Sequence, residues 1–199
     1  MEKSEAKSFI SATILRNSGA TEKTIAKGQY YVRCWDKNGN LKFEDTADNV
    51  ITDVGANQLL DGGFGAGIIA GPFLGLISSV GYTGVPLASD TMLSHITPLH
   101  TWYEAGDSMN LPQWSTGSPR AAVTFNSAAA RIKSLTSPVS FLMDVNGGTV
   151  MGCFLVFGAG AVATNDDTGG ILYSAGVFSG GAKVLALGDT LQCNYSTSV

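Results

Sequence analysis

Charge is what this sequence has least of. Only 14% of its 199 residues are Asp, Glu, Lys or Arg, against roughly a quarter in an average soluble protein. It also lacks a basic excess: 12 Lys+Arg stand against 16 Asp+Glu, a formal net charge of −4. A dedicated nucleic-acid binder carries its footprint as clustered positive charge, so that class is excluded. The two histidines, His95 and His100, are five residues apart, which is not the i, i+4 pair of a helical zinc site, and no carboxylate pair brackets them. The three cysteines, Cys34, Cys153 and Cys193, are odd in number and far apart, so neither a disulfide framework nor a metal knuckle is implied. No Gly-x-Ser-x-Gly elbow is present. Residues 1–7 hold no apolar core of a signal peptide.

Apolar residues are plentiful instead, at 44%, with a mean hydropathy of +0.15. That content excludes wholesale disorder, which needs few apolar residues and much charge. The charge that exists is unevenly spread. Residues 1–53 carry eight acidic and eight basic side chains, whereas residues 54–199 carry twelve charges in all. A free domain spends about a quarter to a third of its surface on charge. A body this poor in charge hides surface against partners or relies on Ser, Thr, Asn and Gly for solubility. Two uncharged stretches, Gly62–Ser89 and Val145–Asn165, are long enough to cross a bilayer. Both are interrupted by many glycines and lack flanking Lys/Arg clusters, so they read as glycine loops leading into buried strands.

Residues 1–27 read as an irregular arm, with a short apolar beat at Phe9, Ile10 and Ile14. Residues 28–199 read as one β-rich domain. Gln29–Trp35 and Leu41–Glu44 flank Asp36-Lys-Asn-Gly-Asn40, which predicts a hairpin over 29–45 with Asn38-Gly39 as a two-residue tip. Asp53–Leu60 predicts a short helix, capped by Thr52 or Asp53 and ended by Asp61-Gly62. Residues 70–199 form the sandwich proper. Strands are expected at Phe73–Ser78, Arg120–Phe125, Val139–Asp144, Thr149–Phe157, Ile171–Ser174 and Thr190–Thr197, with a helical turn at Ser89–Leu93 and an extended run from Pro98 to Glu104. Short strands separated by Gly/Asn/Asp turns, without α/β alternation, point to a mainly β fold of β-sandwich or jelly-roll type.

The search for chemistry yields little. Gly63-Phe-Gly-Ala-Gly67 lacks the Lys-Ser/Thr ending of a phosphate loop. Asn165-Asp-Asp-Thr168 offers oxygen ligands for calcium, but an Asx-rich turn needs no ion. Trp102, Tyr103 and Trp114 read as core or subunit-interface anchors, with an aromatic platform for a sugar as the rival reading. No cofactor, metal or catalytic residue is expected.

Residues Gly28 to Asp45, followed by Asn49-Val-Ile-Thr-Asp-Val-Gly-Ala-Asn-Gln-Leu-Leu-Asp61, resemble the opening of a family of tailed-bacteriophage virion proteins. The similarity continues in order through Phe73–Ile77, Ser89–Met92, Trp102–Glu104, Pro119–Phe125, Gly169–Phe178 and Gly188–Leu191, and so covers most of residues 28–195. Residues 1–27 have no counterpart in it. The resemblance implies a non-enzymatic virion structural protein, associated with capsid decoration (cement) roles. Its partners would be the major capsid protein or other virion subunits and copies of itself, assembled in the host cytoplasm, without direct nucleic-acid or membrane contact. Another virion part (tail tube, neck adaptor or fibre base) and a host-surface or carbohydrate-binding module are the alternatives. The arm, with Phe9, Ile10 and Ile14, is expected to reach onto a neighbour, since so few apolar residues cannot form a core alone. Phe9, Ile10, Ile14, Trp102, Tyr103 and Trp114 are therefore the interface candidates.

Overall fold

The computed structural model describes residues 26–63, 71–93 and 102–198, apart from the side chains at positions 60, 61 and 63. The expected arm residues Phe9, Ile10 and Ile14 lie outside this range, as do His95 and His100. β1 (Lys27–Trp35) alternates buried Tyr30, Val32 and Cys34 with more exposed neighbours, the period of a strand with one face on the core. It turns back into β2 (Leu41–Ile51) as an antiparallel hairpin. The turn is one residue longer than the sequence suggests. Asp36 N–H donates to the Asn40 carbonyl and Gly39 N–H to the Asp36 carbonyl, leaving Lys37, Asn38 and Gly39 as a three-residue loop. Gly39 takes φ +82, the left-handed position that this longer loop requires. The Asp36 carboxylate explains the choice, because it accepts the backbone N–H groups of Asn38 and Asn40 and holds the wider loop shut.

Helix α1 (Asp53–Gly63) follows, ending one residue past the expected Asp61-Gly62 stop. The Thr52 hydroxyl accepts the Gly55 N–H, as an N-cap should. The same hydroxyl donates to the Leu172 carbonyl, so the cap also pins the helix to the sheet. Gly55 faces that sheet at such close range that a Cβ there would sit 2.5 Å from the Tyr173 carbonyl oxygen.

The remaining strands are β3 (Phe73–Ser78), β4 (Ala121–Ala122), β5 (Ile132–Ser134), β6 (Val139–Leu142), β7 (Gly148–Phe157), β8 (Ile171–Val177), β9 (Lys183–Leu185) and β10 (Thr190–Ser198). All pairings are antiparallel, in the order β4-β3-β7-β8-β2-β1-β10-β5, with β6 beside β10 and β9 beside β7. The fold is mainly β, as the sequence implies, but it is built from one continuous sheet that curls over on itself. Cys153 on β7 and Cys193 on β10 are four strand steps apart, which in a flat sheet would be about 19 Å. Their sulfurs lie 3.8 Å apart across the core. The ends of the order also meet: Phe125 bridges Leu135, Asn126 N–H donates to the Ser134 carbonyl, and Thr136 N–H donates to that of Thr124.

The curl encloses the main core, with Tyr30, Val32, Cys153, Leu155, Phe141, Leu191 and Tyr195 at its centre. A second, smaller core lies on the outer face of β3, β7 and β8, where Ile77, Phe154, Val156, Leu172 and Ala175 are roofed by Met92 and Trp102. β7 is therefore buried on both faces from Gly152 to Phe157, and an uninterrupted apolar run is what such a strand requires. No helix among the described residues is long and apolar enough to cross a membrane.

Two local expectations change, and the expected extended run is met over its described part, where Glu104 bridges Ile77. Ser89–Leu93 forms turns rather than a helical turn, because the Asp90 carboxylate accepts Leu87 N–H and closes the chain locally. Pro98–Thr101 lies outside the described residues, while Tyr103–Ala105 bonds to β3 beyond the reach of β4. The strand expected at Arg120–Phe125 shrinks to Ala121–Ala122, since Arg120 N–H donates to the Ala163 carbonyl at one end and Pro72, which accepts Val123 N–H at the other, has no N–H to return.

Candidate functional site

Where β5, β7, β8 and β10 approach the start of β3, the curled sheet leaves an apolar cleft of about 460 Å³. Phe157 and Tyr173 form its floor, their rings 5.1 Å apart. Leu59 of α1, Pro72, Val123 and Phe125 line the rest, with Val123 N–H bonded to the Pro72 carbonyl. Lys133 stands at the mouth, its ammonium 6.0 Å from the centre of the Phe125 ring. The volume falls in the range of small-molecule and side-chain pockets, which are mostly apolar with a few placed polar groups.

Here the polar groups are hydroxyls and one ammonium. Tyr173 Oη and Thr197 Oγ1 are 3.1 Å apart, and Thr197 donates to the Lys27 carbonyl at 2.9 Å. Burial raises the Tyr173 pKa above that of an ordinary phenol, outweighing the hydrogen bond to Thr197, so the phenol keeps its proton at neutral pH. No His, Cys, Asp or Glu is among the described lining residues. Such a lining can grip an apolar side chain and orient it by a hydroxyl contact. It offers no carboxylate pair or imidazole for proton transfer.

The most buried charge lies elsewhere. Arg120, fully buried, makes a two-pronged contact with Glu104, Nε to Oε2 at 3.0 Å and Nη2 to Oε1 at 2.5 Å. Its remaining donors reach the carbonyls of Asp167 at 2.7 Å and Val162 at 3.3 Å. The pair thus ties the segment beside β3 to the loop between β7 and β8. Sequence reasoning missed it, although an arginine followed by Ala-Ala-Val in a charge-poor region was a signal: a charge entering an apolar strand must find a partner there.

The sequence-derived interface candidates are dispersed. Trp102 is wholly buried in the outer core, its ring 5.4 Å from that of Phe154. Trp114 is buried in the main core beside Phe141, and its Nε1 donates to the Ser118 carbonyl. Tyr103 is half-buried, its ring lying over Gly81. The three rings form no shared exposed platform, so the sugar-stacking alternative loses its residues. Asn165–Thr168 is an Asx turn: the Asp167 carboxylate accepts Gly169 N–H, and Asn165 donates to Asp107. No cluster of three metal-ligating side chains occurs among the described residues.

A solvent-facing apolar row was not anticipated. Leu142, Thr190, Trp35 and Leu41 stand directly opposite one another across β6, β10, β1 and β2. The row behind them, Phe141, Leu191 and Cys34, faces the core, which turns Leu142, Thr190 and the half-buried Trp35 outward, and a bulge at Cys34/Trp35 brings Leu41 opposite Trp35. Leu41 is 52% exposed, and Leu187 in the adjacent turn is 60% exposed. No family model, characterised protein or solved structure matches the chain.

Proposed function

We propose that this chain is a non-enzymatic structural subunit of a tailed-bacteriophage particle, acting as a capsid decoration protein that binds the major capsid protein and copies of itself. The observation that carries the reading is the outward apolar row through Trp35 on a body with little charge. Of the twelve charged residues after position 53, Glu104, Arg120 and Asp189 are buried, so the exposed surface is poorer in charge than the sequence alone suggests. Interfaces deplete charge at their centres and enrich aromatic residues, and Trp35 sits in the middle of the row. The resemblance of residues 28–195 to virion proteins supplies the particle.

The mechanism follows from the surface. Seating Leu41, Trp35 and Leu142 against a neighbour removes apolar area from water at about 25 cal/mol per Å². Repetition over a shell multiplies that weak contact into a stable attachment. The test is a particle map in which this chain carries a C-terminal label. Density repeating over the shell supports the reading. Label confined to the tail or neck overturns the decoration role, and particles without label overturn the virion role. Saturable turnover of a peptide, glycan or nucleic acid, abolished by one substitution, overturns the non-enzymatic assignment.

A further inference from the structure

Four basic side chains follow position 53: Arg120, Arg131, Lys133 and Lys183. Arg120 is paired with Glu104 and Lys183 with Asp45. Arg131 and Lys133 have no carboxylate within ion-pair distance among the described residues. Lys133 stands at the mouth of the apolar cleft, and Arg131 is two residues away in the turn before β5. Lys133 lies directly opposite Thr197 in the β5–β10 pairing, so the two side chains share a face. Thr197 in turn sits 3.1 Å from the Tyr173 hydroxyl. Because Thr197 spends its proton on the Lys27 carbonyl, the proton between these two hydroxyls is the phenol's. The mouth thus lines up an ammonium and a phenol with a proton to turn, beside an apolar wall that includes Leu155 and Phe157. No acid is among the described lining residues.

We propose that the cleft binds a medium-chain fatty acid, its aliphatic tail against Leu155, Phe157 and Tyr173 and its carboxylate on the Lys133 ammonium. The sign of the charge selects the headgroup. A carboxylate entering here meets an opposite charge, whereas an ammonium headgroup meets Lys133 as a like charge with no lining acid to offset it. The lining selects the tail, because rings and branched aliphatics reward contact area rather than hydrogen bonding. At about 30 Å³ for each water-sized group, the cleft of about 460 Å³ admits a chain of about ten carbons with room to spare. Lys133 is exposed, so its attraction is screened by water and salt. The tail therefore supplies most of the affinity and the ammonium supplies the choice. This site stands apart from the particle reading, because the row through Trp35 lies at the other end of β1, about 27 Å from Lys27.

Calorimetric titration of the full chain with decanoate, decanol and decylammonium, each below its micellar concentration, tests the proposal. Decanoate should bind saturably at one site, decanol about fivefold more weakly, and decylammonium more weakly still. Octanoate should bind roughly tenfold more weakly than decanoate, the loss expected for two methylenes withdrawn from an apolar wall. Lys133→Met keeps the aliphatic stem of an exposed side chain. It should bring decanoate down to the level of decanol and leave decanol unchanged. In amide spectra of the labelled protein, decanoate should shift Thr124, Lys133 and Thr197 and leave Trp35 and Leu142 in place. The proposal is overturned by the absence of saturable decanoate binding, by decanol or decylammonium binding as tightly as decanoate, or by an unchanged decanoate affinity in Lys133→Met. Shifts centred on Trp35 instead of Thr197 overturn the assignment to the cleft.

Discussion

Breaking the Arg120–Glu104 pair should destabilise the protein more than any other single polar change described above. Arg120→Met removes the guanidinium and leaves the Glu104 carboxylate, 1% exposed, without its charged partner. It also strips the Asp167 and Val162 carbonyls of the donors at 2.7 and 3.3 Å. Removing one member of a buried ion pair costs about 3–5 kcal/mol, because the charge left behind stays buried after losing its two-pronged guanidinium contact. Glu104→Gln keeps the shape and one acceptor, and should cost about 2–4 kcal/mol through the stranded guanidinium. The informative variant is the double one, Glu104→Leu with Arg120→Met. It buries apolar groups in place of both charges and should recover most of the loss, since the desolvation penalty of both ions vanishes with them. Urea unfolding midpoints at constant m measure all three. If the single changes cost less than about 1 kcal/mol, or the double variant costs the sum of the singles, the pair is not acting as a buried, mutually dependent unit.

Gly39→Val should cost at least about 1 kcal/mol by thermal melting, since a branched residue tolerates φ +82 poorly. Ala130 and Arg131 sit at φ 50 and 65 in the two-residue turn before β5. Ala130→Asn with Arg131→Gly should therefore raise stability by about 0.5–1 kcal/mol, and a lowered melting temperature would contradict that turn. Burial works against ionisation of Asp45, but Lys183, Ser179 and the N–H groups of Thr46 and Gly180 prevail and hold its pKa at about 2. Its folded value lies below the unfolded one of about 4, so the stabilisation is complete above pH 4 and is lost as pH falls from 4 through 2. Asp45→Asn should flatten the acid limb of the stability curve in that window by about 1–2 kcal/mol. Burial, with a further push from Asp189, raises the Cys34 thiol to about 11, and burial raises Cys153 well above its usual value. Ellman's reagent at pH 8 should therefore label none of the three buried cysteines until the chain unfolds; rapid labelling of the native protein would contradict the enclosed core.

Much of the fold was legible where local chemistry and tertiary need coincide. The hairpin declares itself through alternation around Asp36–Asn40, and β7 through the unbroken apolar run Cys153–Phe157. That run is uncharged because the main core covers one face and Trp102, Met92 and their neighbours the other. The same run cannot say by itself whether a membrane or a second core covers it. The turn at Ala130-Arg131 was illegible, since neither residue is a turn former and pairing across Ala129 and Ile132 holds them there. The Leu142–Thr190–Trp35–Leu41 row was hidden for another reason: its members come from three distant parts of the chain, the hairpin of residues 35–41, β6 and β10. The cleft is assembled from five elements and two connecting segments and has no motif at all. A sheet that curls on itself makes sites of this kind by closure, which leaves no trace in local spacing.

That closure also governs how the protein can meet other molecules. At the ends of the strand order stand segments of two and three residues, and their continuations spend their amide and carbonyl groups on each other. Among the described residues, the two ends of the strand order therefore offer no long ribbon of open backbone on which one copy can template the next. Contacts made there fall to side chains, whose shapes discriminate, rather than to backbone, which does not.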